Sequence, residues 1–174
     1  AAGTLTVMCG GSDTAFAQVI QKCAEATADR DATWINSDIE DAFLTLHAQG
    51  QAHSVECWLD EELVGGLYGL AMGRAYFGES MFSRATDASK VALAWLVARM
   101  KVGGFQLLDC QFMTDHLASL GAVEISQQRY LALLRQAQLP VSSPPSASGT
   151  AFGSGRGSAD ADGAPLRVGG GLGR

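Results

Sequence analysis

The spacing of hydrophobic residues predicts two amphipathic helices in the first part of the chain. Apolar residues recur at positions i, i+3, i+4 and i+7 in residues 16–23 and again in residues 39–46. This spacing places apolar side chains on one face of a helix. We therefore expect two helices, each with one face packed against the rest of the domain.

In the middle of the chain, alternation of apolar and polar residues replaces the helical spacing. Residues 54–60 alternate between apolar and polar, an acidic turn follows, and residues 63–72 and 74–82 continue as strands. Strands joined by short turns predict an antiparallel meander. Gly65, Gly66 and Gly69 all lie in the middle strand, where glycine indicates a bulge or the close approach of a ligand or another backbone.

The following segment predicts mixed elements. Residues 88–100 are apolar on almost every side, which favours a helix packed on both sides. The later elements are predicted as a strand at 105–110, a short helix at 116–120, a strand at 123–126 and a helix at 129–136. The resulting order, ααβββαβαβα, is an α+β pattern in which a meander is followed by a central helix and further β-α units.

Composition divides the chain after residue 138. All four prolines lie beyond residue 139, in a segment dominated by Gly, Ser, Ala and Pro. Such a segment has too few large apolar side chains to offset the entropy lost on ordering. We predict one folded domain in residues 1–138 and a disordered tail in residues 139–174.

Charge and hydropathy narrow the possible partners. The formal net charge of −6 argues against a broad nucleic-acid surface and against a DNA partner. No apolar run reaches the length of about 18 residues that a membrane span requires, and the first residues do not resemble a signal peptide. We expect a cytoplasmic protein without a membrane partner.

Cysteine and histidine spacing gives no support for a metal site. Cys9, Cys23, Cys57 and Cys110 form no CxxC pair, and the three histidines form no HxxxH pair. We predict four reduced core cysteines and no bound metal.

Four segments resemble the diagnostic blocks of the leucyl/phenylalanyl-tRNA–protein transferases, in the family's order and spacing. The segments are AHSVECW, ELVGGLYGLAMGRAYFGESMFSR, DASKVAL and LLDCQFMTDHLASLGAVEI. The resemblance implies a GNAT-like fold for residues 1–138, with the family's N-terminal region largely missing, and it does not extend to the Gly/Ser tail. The family's Ile-Pro-Arg-Arg stretch is replaced by Ile-Ser-Gln-Gln at residues 125–128, which removes two positive charges.

The resemblance also implies an activity. Family members transfer Leu or Phe from aminoacyl-tRNA to the α-amino group of proteins with N-terminal Arg or Lys, which marks those proteins for degradation through their N-terminus. No cofactor is implied, because the ester is already activated and an α-amino group is about 10–20 % neutral at pH 7.

The sequence leaves two alternatives to this activity open. One is an acyl-CoA-dependent GNAT N-acetyltransferase, which is disfavoured because the loop at residues 83–90 lacks the glycines of a pyrophosphate-binding loop. The other is an inactive remnant of the transferase that cannot hold tRNA.

Asp109 and Gln111 are two residues apart at a strand end, so their side chains share a face while Cys110 faces the core. The resemblance implies a relay in which the Gln111 oxygen accepts a hydrogen bond from the incoming amine and Asp109 orients Gln111. The alternative is a strand-end carboxylate that caps a turn. No histidine neighbours Cys110, so we predict that it is not a nucleophile.

Glu79 lies in an otherwise apolar strand, where a carboxylate needs a partner or a cationic ligand. The resemblance assigns it to the active site, where we predict that it recognises the acceptor. The alternative is a structural ion pair with Arg74 or Arg84.

The resemblance further assigns Leu67, Tyr76 and Met81 to a pocket for the transferred Leu or Phe side chain, with simple core packing as the alternative. Strict alternation places Tyr76 opposite Glu79 and Met81. These residues can share a pocket only if a bulge near Gly78 shifts the register.

The 3′ end of tRNA is expected to contact three residues. The resemblance implies that Trp34 stacks on the terminal adenine, whereas a core tryptophan is the alternative. Arg84 and Lys90 flank the loop before the central helix and are the best candidates for phosphate contacts.

Overall fold

The structure, a computed structural model, describes residues 8–25, 33–139 and 168–170; for residues 8–11 and 168–170 it describes the backbone alone. It is an α+β arrangement, as predicted, except that a strand precedes the first helix. The strands are β1 (Met8–Ser12), β2 (Ala52–Leu59), β3 (Glu62–Met72), β4 (Ala75–Ser83), β5 (Leu107–Gln111) and β6 (Val168–Gly170). The helices are α1 (Phe16–Ala24), α2 (Ser37–Ala48), α3 (Ala88–Val102), α4 (Asp115–Ser119) and α5 (Gln127–Gln138).

The six strands form one mixed sheet in the order β1-β2-β3-β4-β5-β6. Pairing is antiparallel from β1 to β4, which confirms the predicted meander, and parallel from β4 to β6. One cluster of buried side chains joins α3 to the sheet, and a second joins α1 and α2 to it. The sheet is therefore covered on two faces, and a third, smaller cluster packs α5 beside β4 and β5.

Two glycines of β3 mark close approaches, as the sequence predicts. A Cβ on Gly65 would lie 2.5 Å from the Cβ of Ala88, so the absent side chain lets the first turn of α3 rest directly on the sheet. A Cβ on Gly69 would lie 2.1 Å from the carbonyl oxygen of Phe77. Both distances are far below normal contact, so neither position accepts alanine without movement of its neighbours.

Helix α3 differs from the prediction of burial on both sides. Its buried side chains pack towards the sheet, whereas Ala94 and Val102 are exposed. The buried Leu93 and the partly buried Val97 also line a cavity of about 270 Å³ between α3, β5 and the residues around α4. The apolar composition of α3 therefore reflects cavity walls as well as the core.

The C-terminal elements correct two further expectations. Residues 122–126 form no strand but connect α4 to α5, and Val123 is exposed although the alternation of residues 123–126 favoured a strand. The edge of β5 pairs instead with β6, which lies within the segment predicted to be disordered. The remainder of that segment, residues 140–167 and 171–174, lies outside the described residues.

The cysteines are not all reduced. Cys23 and Cys110 are thiols, but Cys57 is disulfide-bonded, so the prediction is wrong at this residue. The side chain of Cys9 lies outside those described. None of the described helices is long and apolar enough to cross a membrane.

Candidate functional site

The sheet opens between β4 and β5. These parallel strands pair at Ala75 with Leu107, Tyr76 with Leu108 and Phe77 with Asp109. The pairing ends there, although β4 continues to Ser83 and β5 to Gln111. The carboxyl ends of the two strands therefore leave backbone groups and side chains available at a common edge.

Glu79 occupies a β-bulge at this opening. Tyr68 of β3 is opposite Ser80, whereas Gly69 is opposite Gly78, so Glu79 is the extra residue on β4. The predicted pocket required a bulge near Gly78, and the structure has one there. The bulge interrupts the alternation of β4, so that four consecutive residues, Gly78 to Met81, line one cavity.

That cavity has a volume of about 220 Å³ and mostly apolar walls. Leu67 and Met81, two of the three predicted pocket residues, contribute to it. Its other apolar walls come from α3, β5 and α4, through Leu93, Leu96, Leu108 and Leu117. Its volume is below the range of about 300–1,000 Å³ typical of pockets for drug-sized ligands, so it suits a single apolar side chain better than a whole cofactor.

Asp109 and Gln111 meet at the end of β5. Asp109 is almost fully buried, and its Oδ1 accepts a hydrogen bond from the backbone N–H of Gln111 at 2.8 Å. Gln111 has a φ of 62°, in the left-handed region that a non-glycine residue rarely adopts. Asp109 thus orients Gln111 through its main chain, and the Gln111 Nε2 donates to the carbonyl oxygen of Gly78 at 3.2 Å.

The electrostatics of Glu79 follow from this arrangement. Burial raises its pKa, a hydrogen bond from the Gln111 side chain lowers it, and the nearby Asp109 carboxylate raises it again. The alternative of a structural ion pair finds no support in the described part of the chain, because Arg84 pairs with Glu25 and Arg74 donates to the carbonyl oxygen of Gln136 at 2.8 Å. A partly buried carboxylate in this situation favours a cationic ligand.

Comparison with known proteins identifies the family. The family model described as leucyl/phenylalanyl-tRNA protein transferase matches residues 7–135, which is most of the chain. The chain belongs to this family.

Individual relatives carry the same name. A leucyl/phenylalanyl-tRNA–protein transferase of Rhizorhabdus wittichii is 62 % identical over 71 % of this chain, and one of Zymomonas mobilis is 63 % identical over 72 %. A third, from Novosphingobium aromaticivorans, is 51 % identical over 97 % of the chain, so that similarity extends into the tail. The chain spans about half the length of these curated relatives, covering 50 %, 47 % and 60 % of them.

In this member of the transferase family, Tyr76 differs from Leu67 and Met81, the other two residues that were predicted to line the pocket. It is fully buried, its hydroxyl donates to the carbonyl oxygen of His53 at 2.9 Å, and it is not among the residues that line the 220 Å³ cavity. Tyr76 therefore lies in the core beside the pocket in this structure.

The three residues that the resemblance assigned to the tRNA end are all at least partly accessible. Trp34 is 50 % exposed, so it is not the core tryptophan of the alternative interpretation. Arg84 pairs with Glu25, and Lys90 pairs with Asp87 at 2.5 Å. A phosphate that approached either cation would compete with a carboxylate, and both pairs are exposed enough to exchange partners.

The loop before α3 is poorly suited to bind a diphosphate through its backbone N–H groups. Its residue Asp87 adopts a φ of 62° where a phosphate-binding loop would place glycine. The backbone N–H of Ser89 already donates to the Ser83 hydroxyl at 3.2 Å. Both features agree with the absence from this loop of the glycine pattern typical of acyl-CoA-dependent GNAT enzymes.

Cys110 borders both cavities and packs against the core. Burial, with a smaller effect from Asp109, raises the pKa of its thiol to about 11. A thiol with this pKa is almost entirely protonated at neutral pH and is a weak nucleophile.

Some contacts of the site have no local sequence signal. The Tyr130 hydroxyl of α5 donates to Asp109 Oδ2 at 2.8 Å, and His116 of α4 lines the cavity beside Thr114. Tyr130 follows the helix spacing of α5, which indicated packing and gave no sign of a polar contact. Among the described residues, no cluster of potential metal ligands is found.

Proposed function

We propose that this chain transfers leucine or phenylalanine from aminoacyl-tRNA to the α-amino group of proteins with N-terminal Arg or Lys. The observation that carries the proposal is the apolar cavity of about 220 Å³ bordered by Glu79 at the opening that also holds Asp109 and Gln111. Membership of the leucyl/phenylalanyl-tRNA–protein transferase family indicates which substrates such a site would bind. In this proposal the domain has the GNAT-like arrangement, and the added residue marks the acceptor for degradation.

The aminoacyl side chain occupies the cavity in this scheme. Leu67 and Met81 face it from the sheet, and Leu96 of α3 faces it from the opposite wall. A methionine adapts to both branched and aromatic side chains because it is unbranched and polarisable. Tyr76 packs in the same core cluster as Leu67 and Leu108, which line the cavity.

Glu79 recognises the acceptor. A carboxylate whose pKa is raised by burial gains most when a cation neutralises it, and an N-terminal Arg or Lys supplies two cationic groups, the side chain and the α-amine. The approach of this cation favours the ionised form of Glu79. The same step brings the α-amino group towards Gln111.

The chemistry is an aminolysis of an ester. The neutral α-amine attacks the ester carbonyl carbon, a C–N bond forms, and the C–O bond to the terminal ribose breaks. The ribose oxygen leaves with a proton that the amine releases. Gln111 Oε1, for which no hydrogen-bond donor is found in the described part of the chain, accepts a hydrogen bond from the attacking amine. Asp109 holds Gln111 in this orientation.

The terminal adenosine of the tRNA lies near the exposed Trp34, and the phosphates before it lie near Arg84 and Lys90. Stacking of a base on an aromatic ring contributes about 1–3 kcal/mol. The reaction uses no cofactor, because the ester supplies the activated acyl group.

The test is a transfer assay with this chain. Phe-tRNA labelled in its amino acid is mixed with a peptide that begins with Arg, and transfer of label to the peptide is measured. We expect transfer that requires a free N-terminus, so that an acetylated peptide receives none. Asp109→Ala should lower kcat by about 10²- to 10⁴-fold. Asp41→Ala, which removes an exposed carboxylate of α2, is the matched control and should leave the rate unchanged.

Two outcomes would contradict the proposal. A folded chain that transfers no label would refute the activity for this chain. Release of thiol from acetyl-CoA with the same peptide, in place of transfer from tRNA, would assign the site to an acetyltransferase.

A further inference from the structure

Tyr130 lies on α5, outside the segments that form the cavity, yet it contacts the centre of the site. Its hydroxyl donates to Asp109 Oδ2 at 2.8 Å. Its ring belongs to a small cluster with Leu133 and Leu134 that packs α5 beside the sheet. The ring and the hydroxyl therefore have separable roles, since phenylalanine would preserve the packing and remove only the hydrogen bond.

The contact is the first in a series that ends at Glu79. Tyr130 holds one oxygen of Asp109, the other oxygen of Asp109 holds the backbone N–H of Gln111, and the Gln111 side chain donates towards Gly78 and Glu79. Gln111 has a strained φ of 62°, which persists only where its surroundings fix it. A carboxylate that is hydrogen-bonded at both oxygens restrains the backbone of Gln111 more firmly than one that is hydrogen-bonded at a single oxygen.

The protonation state of Tyr130 suits this role. Burial raises its pKa to about 12, with further contributions from the hydrogen bond and the charge of Asp109. The hydroxyl therefore keeps its proton at physiological pH and remains a donor. A hydrogen bond to a charged acceptor is also stronger than one between neutral groups.

We propose that Tyr130 is a positioning residue for the transfer reaction: its hydroxyl fixes the Asp109 carboxylate, and through it the orientation of Gln111 towards the attacking amine. The kinetic part of this inference rests on the proposed transferase function. The structural part, that Tyr130 orders Gln111, does not.

The experiment compares Tyr130→Phe with Leu134→Ala. Both changes lie on α5 in the same cluster, but Leu134 does not take part in the series of hydrogen bonds. In the transfer assay we expect Tyr130→Phe to lower kcat by about 10- to 100-fold, as the loss of one hydrogen bond to a charged group would, with KM for Phe-tRNA nearly unchanged. Leu134→Ala should lower stability and leave kcat within about two-fold of the unaltered chain.

A double variant tests whether the effect passes through the carboxylate. In an Asp109→Asn background, Tyr130→Phe should cause little further loss of kcat, because the two changes interrupt one series of contacts. If the two substitutions lowered kcat by independent, multiplicative factors, the proposal that Tyr130 acts through Asp109 would be wrong.

Amide hydrogen exchange of Gln111 gives a readout that needs no activity. Tyr130→Phe should make this amide exchange about ten-fold faster, and Leu134→Ala should leave it close to the original rate. Unchanged exchange in Tyr130→Phe would overturn the positioning role even if transfer were slowed. If the unaltered chain transfers nothing, the proposed function fails, and the exchange rates still decide whether Tyr130 positions Gln111.

Discussion

Glu56 and Glu79 are both withdrawn from solvent on the same sheet, but their surroundings differ. Glu56 of β2 is completely buried and accepts hydrogen bonds from the backbone N–H groups of Thr14 and Ala15, at 3.0 and 2.8 Å, and from the Ser54 hydroxyl at 3.0 Å. The Thr14 hydroxyl and the Trp58 indole also donate to it. Glu79 is only partly buried, borders a cavity and has a raised pKa.

The difference shows that burial alone does not identify a functional carboxylate. Glu56 is saturated with donors immediately before α1, where Ala15 offers no side-chain cap and a negative charge is stabilised by the helix N-terminus. It therefore fixes the position of α1. Glu79 retains acceptor capacity that faces a cavity, which is the condition for binding a cation.

The largest expected effect follows from removing the saturated carboxylate. Glu56→Ala leaves several buried donors without an acceptor, each at a cost of about 1–3 kcal/mol. We expect the free energy of unfolding to fall by at least about 3 kcal/mol in urea denaturation. Glu124→Ala, at an exposed position, is the control. An unchanged midpoint in Glu56→Ala would remove the distinction between the two glutamates.

A smaller effect should follow from crowding the cavity side of the sheet. Gly65→Ala places a methyl group 2.5 Å from the Cβ of Ala88, so α3 must move away from β3. We expect a loss of about 1–3 kcal/mol in stability, together with slower transfer, because α3 supplies Leu93 and Leu96 to the cavity.

The neighbouring glycine provides the control for this change. A Cβ on Gly66 would lie 2.9 Å from the carbonyl oxygen of Val55 and 3.5 Å from Val19, on the α1 side of the sheet. Gly66→Ala should therefore lower stability while changing transfer less than Gly65→Ala. If Gly66→Ala slowed transfer more than Gly65→Ala, the functional face would be the α1 side of the sheet and not the α3 side.

These contrasts also explain what the sequence could predict. The meander follows from local alternation. The bulge near Gly78 was expected only as a condition for the pocket that the family resemblance implied. The contacts of Glu56 with Thr14 and of Asp109 with Tyr130 join residues 42 and 21 positions apart, and no local pattern encodes them. The predicted strand at residues 123–126 failed for a related reason, since alternation predicts a strand only where a sheet edge is available to pair with it.

A third prediction concerns the dependence of stability on pH. Burial raises the pKa of Glu79 from its ordinary value of 4.5 in the folded chain, so the folded state binds more protons than the unfolded state between the two pKa values. The resulting destabilisation is absent below 4.5, increases with pH and is complete above the folded pKa. Glu79→Gln should therefore raise the melting temperature at pH 7, and the gain should disappear as the pH falls below 4.5.

Glu62→Gln is the matched control for this measurement, because Glu62 is exposed on β3. It should leave the melting temperature unchanged at both pH values. In the transfer assay, Glu79→Gln should raise KM for the Arg-peptide, by an amount equivalent to at least about 2 kcal/mol. A gain in stability that persisted at low pH would mean that the effect of Glu79→Gln arises from packing and not from the charge.

The smallest expected effect is at Cys110, which lies between the two catalytic candidates but on the cavity side of β5. With a pKa of about 11, only about one thiol in 10⁴ is ionised at pH 7, so a covalent route through this sulfur would be slow. Cys110→Ala should keep the transfer rate within about three-fold, because it trims a cavity wall by one atom and removes no donor to substrate. Complete loss of transfer in a folded Cys110→Ala chain, with a labelled acyl group trapped on Cys110 of the unaltered chain, would replace direct attack by the amine with a two-step thioester mechanism.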